Sequence, residues 1–333
     1  MKFLIIRFSS IGDIVLTTPV VRCLKKQLPG AEVHYLTRSD HRELLSANPY
    51  IDRLFSFSGS LQEVIPLLRN EQYDHVIDLH HNVRSLKVKM ALGRPARSFY
   101  KLNVEKWMLT ALKIDRLPDA HIVDRYMDTV LPFGVQNDGA GLDHFIPETA
   151  LLKENDIPAA HWAGYLALVI GAAHGTKQLP EHKLAELCRL IPYPIILLGG
   201  PKEKDTGQKL SAIDPVRIYN ACGKFSLHES ADLVRRSRLV VSHDTGLMHI
   251  AAAFSKPVIS IWGNTIPRFG MYPYYGDNFD RQQKKEYTFS SEVQGLRCRP
   301  CSKIGYRKCT RGHFNCMEKQ DVTLVAEKVR QLF

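Results

Sequence analysis

Lys2-Phe3-Leu4-Ile5-Ile6-Arg7-Phe8-Ser9-Ser10-Ile11-Gly12-Asp13 decides the fold. The apolar run up to Phe8 reads as a buried strand, and Ser9 to Asp13 as a short loop. Beyond it Ile14, Val15, Val20, Val21, Leu24 and Leu28 recur near helical spacing until Pro29-Gly30 ends the helix. A strand feeding directly into a helix opens a βα unit, whose next strand pairs in parallel through a right-handed crossover. Residues 31–37 and 74–79 read as further strands and residues 61–70 and 83–92 as helices. The alternation therefore holds to about residue 135.

Residues 137–162 carry Gly139, Gly141, Pro147 and Pro158 with weak periodicity, and read as a connection. Strands are then expected at 165–171, 194–200, 238–242 and 257–263. Helices are expected at about 181–190, 227–236 and 246–254, and a terminal helix at 321–333 presents Val322, Val325, Val329 and Leu332 on one face. A chain of 333 residues exceeds what one core usually organises. The expected architecture is α/β with two Rossmann-like domains facing across a cleft: 1–150, 151–320 and the helix 321–333. Ligands of such folds bind where the strand C-termini meet the crevice.

The apolar stretches are too short to span a bilayer. No basic region, longer apolar stretch and cleavage site mark a secretory leader, which predicts a cytoplasmic protein. A net charge of +11 suits either a basic surface without a specific partner or attraction to an anion: a phosphorylated saccharide, an acidic membrane face or nucleic acid. Lysine and arginine are spread along the chain rather than gathered in a tail.

Two segments carry chemistry. Small residues and Gly12 let a ligand approach the backbone at Ser9–Asp13, beside the free N–H groups of a helix start. Asp13 is either an N-cap or a carboxylate base in the cleft. The second segment is Ser242-His243-Asp244-Thr245-Gly246-Leu247-Met248-His249, at the end of a buried strand. Asp244 and Thr245 are capping residues or ligands, and Thr245, Gly246 and Leu247 can turn N–H groups toward a diphosphate. His249 either packs in the core or faces the ligand.

Together, Arg7–Pro19 (Arg-Phe-Ser-Ser-Ile-Gly-Asp-Ile-Val-Leu-Thr-Thr-Pro) and Asp244–Ala253 (Asp-Thr-Gly-Leu-Met-His-Ile-Ala-Ala-Ala) resemble the bacterial lipopolysaccharide heptosyltransferases, glycosyltransferase family 9, over nearly the whole chain. The resemblance implies a GT-B fold with an N-terminal acceptor domain and a C-terminal domain for ADP-heptose. It also implies inverting transfer that requires no metal or other cofactor. It makes Asp13 the base, Asp244 the carboxylate that holds the donor sugar, and Thr245, Gly246 and Leu247 the diphosphate segment, with His249 in the same motif. Lys177, in Gly175-Thr176-Lys177-Gln178-Leu179-Pro180, matches a lysine that pairs with donor phosphate; it also reads as an exposed loop lysine. Glu203 or Asp205 would accept from the ribose hydroxyls. Gln178 and Leu179 stand where the family often has a basic residue and a tryptophan. Ser10, Gly12, His80 and Arg84 are the candidates for the acceptor side, with His81 beside them. The implied partners are a nucleotide-sugar donor and an anionic lipid-linked saccharide acceptor. The inner membrane face is a candidate peripheral contact, and no nucleic acid is expected.

Cys298, Cys301, Cys309 and Cys316, with His313 nearby, form a separate cluster. The Cys298-x-x-Cys301 spacing suits a corner of a structural zinc site, and the rest does not complete a ribbon; reduced thiols packing a loop are the alternative. Another nucleotide-sugar transferase or an epimerase on the same scaffold competes among enzymes, and a nucleic-acid-binding protein outside them. The first loop lacks the glycine fingerprint of a dehydrogenase.

Overall fold

The computed structural model describes residues 1–277, 279, 283 and 286–333. Five strands, β1 (Lys2–Ile6), β2 (Glu32–Arg38), β3 (Arg53–Phe57), β4 (His75–Asp78) and β5 (Ala96–Ser98), form one parallel sheet of order β3-β2-β1-β4-β5. Six more form a second: β6 (Leu166–Val169), β7 (Ile195–Leu198), β8 (Ile218–Asn220), β9 (Leu239–His243), β10 (Val258–Trp262) and β11 (Thr288–Glu292). Their order is β11-β10-β9-β6-β7-β8, again parallel throughout.

Each sheet reverses its strand order once, between β1 and β4 and between β6 and β9. Those reversals open the crevices in which doubly wound sheets bind ligands. The loops leaving β1, β4, β6 and β9 lead to Asp13, His80, Lys177 and Asp244 respectively. The topology alone thus delivers the candidate residues to two crevices.

Strand alternation divides the core. Phe3 and Ile5 of β1, and Ala167 and Val169 of β6, belong to one continuous apolar cluster. Leu4 and Ile6 face a second cluster behind the first sheet. Leu166 and Leu168 face a third behind the second sheet, which Val322, Val325, Ala326 and Val329 of the terminal helix complete. The first cluster runs through both halves and takes in Val123, Tyr126 and Val130 as well.

The first helix is two pieces, α1 (Ile11–Val15) and α2 (Thr18–Gln27), rather than the single run its apolar spacing predicts. Pro19 has no N–H to donate to the Val15 carbonyl, and the Thr18 hydroxyl donates to that oxygen instead, at 2.7 Å. The expected helix at 61–70 is likewise a short turn followed by α3 (Ile65–Asn70), with a proline near its start. Further helices are α4 (Val83–Leu92), α5 (Asn103–Trp107), α6 (Ile122–Met127), α7 (Glu181–Leu190), α8 (Lys204–Ser211), α9 (Leu227–Arg236), α10 (Gly246–Ala253), α11 (Asn315–Glu318) and α12 (Val322–Leu332). Residues 137–162 hold only single turns.

Candidate active site

Ser10 caps α1, and Asp13 stands three residues further on with its carboxylate turned back: Oδ2 accepts from the Ser10 amide at 3.2 Å and the Ser10 hydroxyl at 2.8 Å. The N-cap alternative for Asp13 is thereby corrected, because Ser10 occupies that place. Oδ1 receives the Arg7 guanidinium at 2.8 Å. Arg7 is buried and held by the carbonyls of Ser9 and Leu79 and the hydroxyl of Tyr126 on α6. Burial works against the Asp13 anion, but Arg7 and the Ser10 hydrogen bonds outweigh it and keep the carboxyl below its ordinary range.

Gly12 meets a protein group, not open space: a Cβ there would lie 2.5 Å from His249 Cδ2 and 3.4 Å from Gly246 Cα. A Cβ on Gly246 would in turn lie 2.4 Å from Ile11 Cγ2. The two motif glycines therefore let α1 of one half seat against α10 of the other. The expectation that Gly12 lets a ligand approach is corrected on its Cα side, where the His249 ring fills the space.

On the far side of this junction Lys177 pairs with Asp244 at 2.6 Å, and Thr265 donates to the same Asp244 oxygen at 2.8 Å. Thr245 precedes α10, and the Gly246 and Leu247 amides that open that helix have no intrahelical acceptor. His249 is buried within electrostatic reach of Asp244, Asp13 and Lys177. Burial pushes it down to about 4, so the ring is neutral, and its Nδ1 has no partner. His243, at the end of β9, accepts from the Leu179 amide at 3.0 Å and so fixes the chain just beyond Lys177.

Glu203 sits over the ends of β6 and β7, where Gly171 and Gly199 leave room for it. Its carboxylate accepts from the Gly200 amide at 2.9 Å and from Gln178 Nε2 at 3.3 Å. Gln178, which departs from the family pattern, ties this acid to the Lys177 segment. Asp205 is exposed on the first turn of α8.

On the acceptor side, the His80 ring lies tilted against Phe8 with centroids 4.7 Å apart, and burial followed by Arg7 pushes it down to about 4. Buried Asp78, paired with Lys89 at 2.9 Å, holds the His80 and His81 amides at 3.0 and 2.7 Å. Arg84 is exposed on the first turn of α4. The structure adds cations the sequence did not single out: Lys101 and Lys106 are within electrostatic reach of Asp13 and of Lys303. Burial, then Arg125, lowers Lys106 to about 8.

The cysteine segment walls this region. Tyr306 and Thr176 exchange hydrogen bonds at 2.8 to 3.1 Å, and the Cys301 amide donates to the Asn264 carbonyl at 3.3 Å. The thiols are free, and Cys298 Sγ lies 3.8 Å from His313 Nε2. Among the described residues, no three of these ligand atoms come within 4.8 Å of one another, so the zinc reading does not fit this arrangement. The one trio that does is Glu32, His34 and Glu71, and Lys2 and Arg53 already neutralise it.

Residues 63–287 match the model of glycosyltransferase family 9 (heptosyltransferase). The chain is 27% identical over 307 residues to lipooligosaccharide heptosyltransferase 2 of Haemophilus influenzae, covering 81% of this chain and 85% of that protein. Among solved structures it is similar to the E. coli ADP-heptose lps heptosyltransferase II, with a TM-score of 0.72, 20% identity and coverage of 100% and 98%. It is also similar to a glycosyl transferase family 9 protein from Veillonella parvula, with a TM-score of 0.76, 21% identity and coverage of 99% and 96%. The shared architecture is the GT-B fold. Among the described residues no helix is long and apolar enough to cross a membrane.

Proposed function

Because the chain belongs to glycosyltransferase family 9, the heptosyltransferase family, we propose that it transfers heptose from ADP-heptose to an anionic, lipid-linked saccharide of the lipopolysaccharide core, inverting the anomeric carbon. One observation carries the reading most: an ionised carboxylate on one half, Asp13, faces the Lys177–Asp244 pair and His249 of the other across the α1–α10 junction. A similar E. coli protein is described by its structure as an ADP-heptose lps heptosyltransferase.

The acceptor oxygen attacks the anomeric carbon as the carbon–oxygen bond to ADP breaks on the opposite face, and Asp13 takes the hydroxyl proton. Arg7 keeps Asp13 ionised before the attack. Lys177 and the amides of Gly246 and Leu247 receive the negative charge that grows on the departing diphosphate, a role that needs no metal. Asp244, relieved of Lys177 and still held by Thr265, is free to bond a sugar hydroxyl. Glu203, at the ends of β6 and β7, would accept from the ribose hydroxyls, and Lys101, Lys106 and His80 would meet the acceptor.

Heat denaturation with a panel of nucleotides tests this reading. ADP-heptose is expected to raise the melting temperature more than UDP-sugars or NAD. Transfer is expected to persist in excess chelator and to give a product of inverted anomeric configuration by NMR. Equal protection by all nucleotides sinks the donor assignment, and activity restored by magnesium after chelation sinks the metal-free step.

Lys177→Ala is expected to weaken ADP binding by about 10- to 100-fold, the loss of one charge-assisted contact of about 1.5–3 kcal/mol. The fold should persist, because Thr265 continues to hold Asp244. Unchanged affinity by calorimetry would remove Lys177 from the donor site.

A further inference from the structure

Four cations gather beside Asp13 without a carboxylate to balance them. Arg125 is buried on α6, where Nη1 donates to the Tyr100 carbonyl at 3.2 Å and Nη2 to the Phe269 carbonyl at 3.4 Å, while Nε has no partner. Lys106 on α5 holds its Nζ 5.7 Å from the centre of the Phe269 ring. Lys101 follows Tyr100, and both half-buried lysines are within electrostatic reach of Asp13. The fourth cation comes from the other half. Lys303, on the cysteine segment, donates across the cleft to Asn103 Oδ1 at 3.0 Å.

The acids nearby are already engaged. Asp13 pairs with Arg7, Asp78 with Lys89, and Glu105 accepts from the Tyr100 hydroxyl. Asp124 and Asp128 are exposed, and among the described residues neither forms an ion pair with Arg125. A buried guanidinium held only by carbonyls keeps its charge uncompensated, a costly arrangement unless an anion completes it. The crowding shows in Lys106, which burial and then Arg125 bring down to about 8. Lys303 gives up only a neutral amide oxygen to reach an anion placed among the other three.

We propose that Lys303 joins Lys101, Lys106 and Arg125 in binding one phosphoryl group carried by the acceptor sugar, so that both halves hold the acceptor. The proposal rests on the transfer proposed above, and it gives the donor half a share in acceptor recognition. A phosphate monoester suits four cations better than a carboxylate does, because it brings close to two charges and three acceptor oxygens. Lys303 meets it from a braced segment. Lys113 Nζ of the acceptor half donates to the Pro300 carbonyl at 2.6 Å, and Tyr306 and Thr176 hold each other just before Lys177. A sugar anchored here by its phosphate has its neighbouring hydroxyl beside Asp13.

The test first uses inorganic phosphate on the full chain saturated with ADP, which fills the diphosphate segment. Wild type is expected to bind a further phosphate by calorimetry. Lys303→Gln should weaken that binding about tenfold or more, and Lys101→Gln with Lys106→Gln should weaken it further. Lys303→Arg should restore it to within about threefold of wild type, since the charge and its donors return. ADP affinity should stay within about twofold of wild type in Lys303→Gln, because Lys177 and α10 are untouched. Steady-state transfer supplies the second readout, with an acceptor saccharide bearing a phosphate monoester, before and after phosphatase treatment. Lys303→Gln should raise KM for the phosphorylated acceptor about tenfold with little change in kcat. The difference from wild type should shrink to about twofold once the phosphate is removed. No further phosphate on the ADP-saturated wild type, or variants that bind it like wild type, would overturn the proposal. A loss of equal size on both acceptors would make Lys303 a strut of the cysteine segment and sink it. So would acetate binding more tightly than phosphate, which would give the subsite to a carboxylate. A protein that binds phosphate through these lysines but transfers nothing from ADP-heptose refutes the reaction and leaves the anion subsite standing.

Discussion

Turnover by the Asp13→Asn protein is expected to fall by about 10²–10⁴-fold, the usual loss on removing a general base. Donor affinity and melting temperature should change little. The amide oxygen can still accept from Ser10, and Arg7 retains the carbonyls of Ser9 and Leu79 and the Tyr126 hydroxyl. The pH profile adds a second readout. Asp13 lies below the ordinary carboxylate range, so it is ionised above that depressed value and loses its charge only as pH falls through it. It therefore contributes no acid limb to kcat/KM near neutrality. Arg7→Met leaves burial unopposed by that cation, and the acid limb should move to higher pH. An Asp13→Asn protein that transfers sugar at close to the wild-type rate would reduce Asp13 to a residue that fastens the first turn of α1.

The second large effect concerns Gly246. In Gly246→Ala the new methyl would stand 2.4 Å from Ile11 Cγ2 and 2.7 Å from Ile11 Cβ. Ile11 is β-branched and stiff, so it cannot swing aside, and α1 must separate from α10. Overpacking of this kind costs about 1–3 kcal/mol. Activity should suffer more than stability, because Asp13 and the Lys177–Asp244 pair are on opposite sides of the displaced contact. A misplacement of about 1 Å between reacting groups can cost on the order of 10²-fold. Normal kcat and KM in this variant would show that the junction does not set the distance across the cleft.

The central strands and the long amphipathic helices were legible because their burial is nearly complete or strictly periodic. β1, β6, β9 and β10 are almost wholly buried and read as unbroken apolar runs. β3, β5, β8 and β11 were not foreseen. They are three to five residues long, and β3, β5 and β11 each carry two or more side chains that are not buried, which erases the pattern. α8 escaped for the same reason, since it buries only Gly207 and Leu210. Asp13, Lys177, Asp244 and His249, which the structure brings together, stand out in the sequence through their motifs. The part played by Arg7 is not legible in the sequence, because a strand-end arginine declares no partner until the end of β4 and α6 close around it. The part played by the cysteine segment was also illegible: its contact with Thr176 spans 130 residues of sequence.

The buried imidazoles give the cleft a fixed charge over the range in which histidine usually switches. His80, His243 and His249 are pushed down to about 4 by burial, as is His144 elsewhere, while His121 falls to about 3. Each stays neutral from mildly acid to alkaline solution, so none of the five adds a charge that varies over the usual histidine range. The same property makes the fold sensitive to acid. Below about pH 6.5 the unfolded chain takes up protons at these five positions that the folded chain refuses, and the difference widens until the native values near 4 and 3 are reached. Acidification therefore draws the protein toward its unfolded form by proton uptake at side chains that carry no charge in the working enzyme.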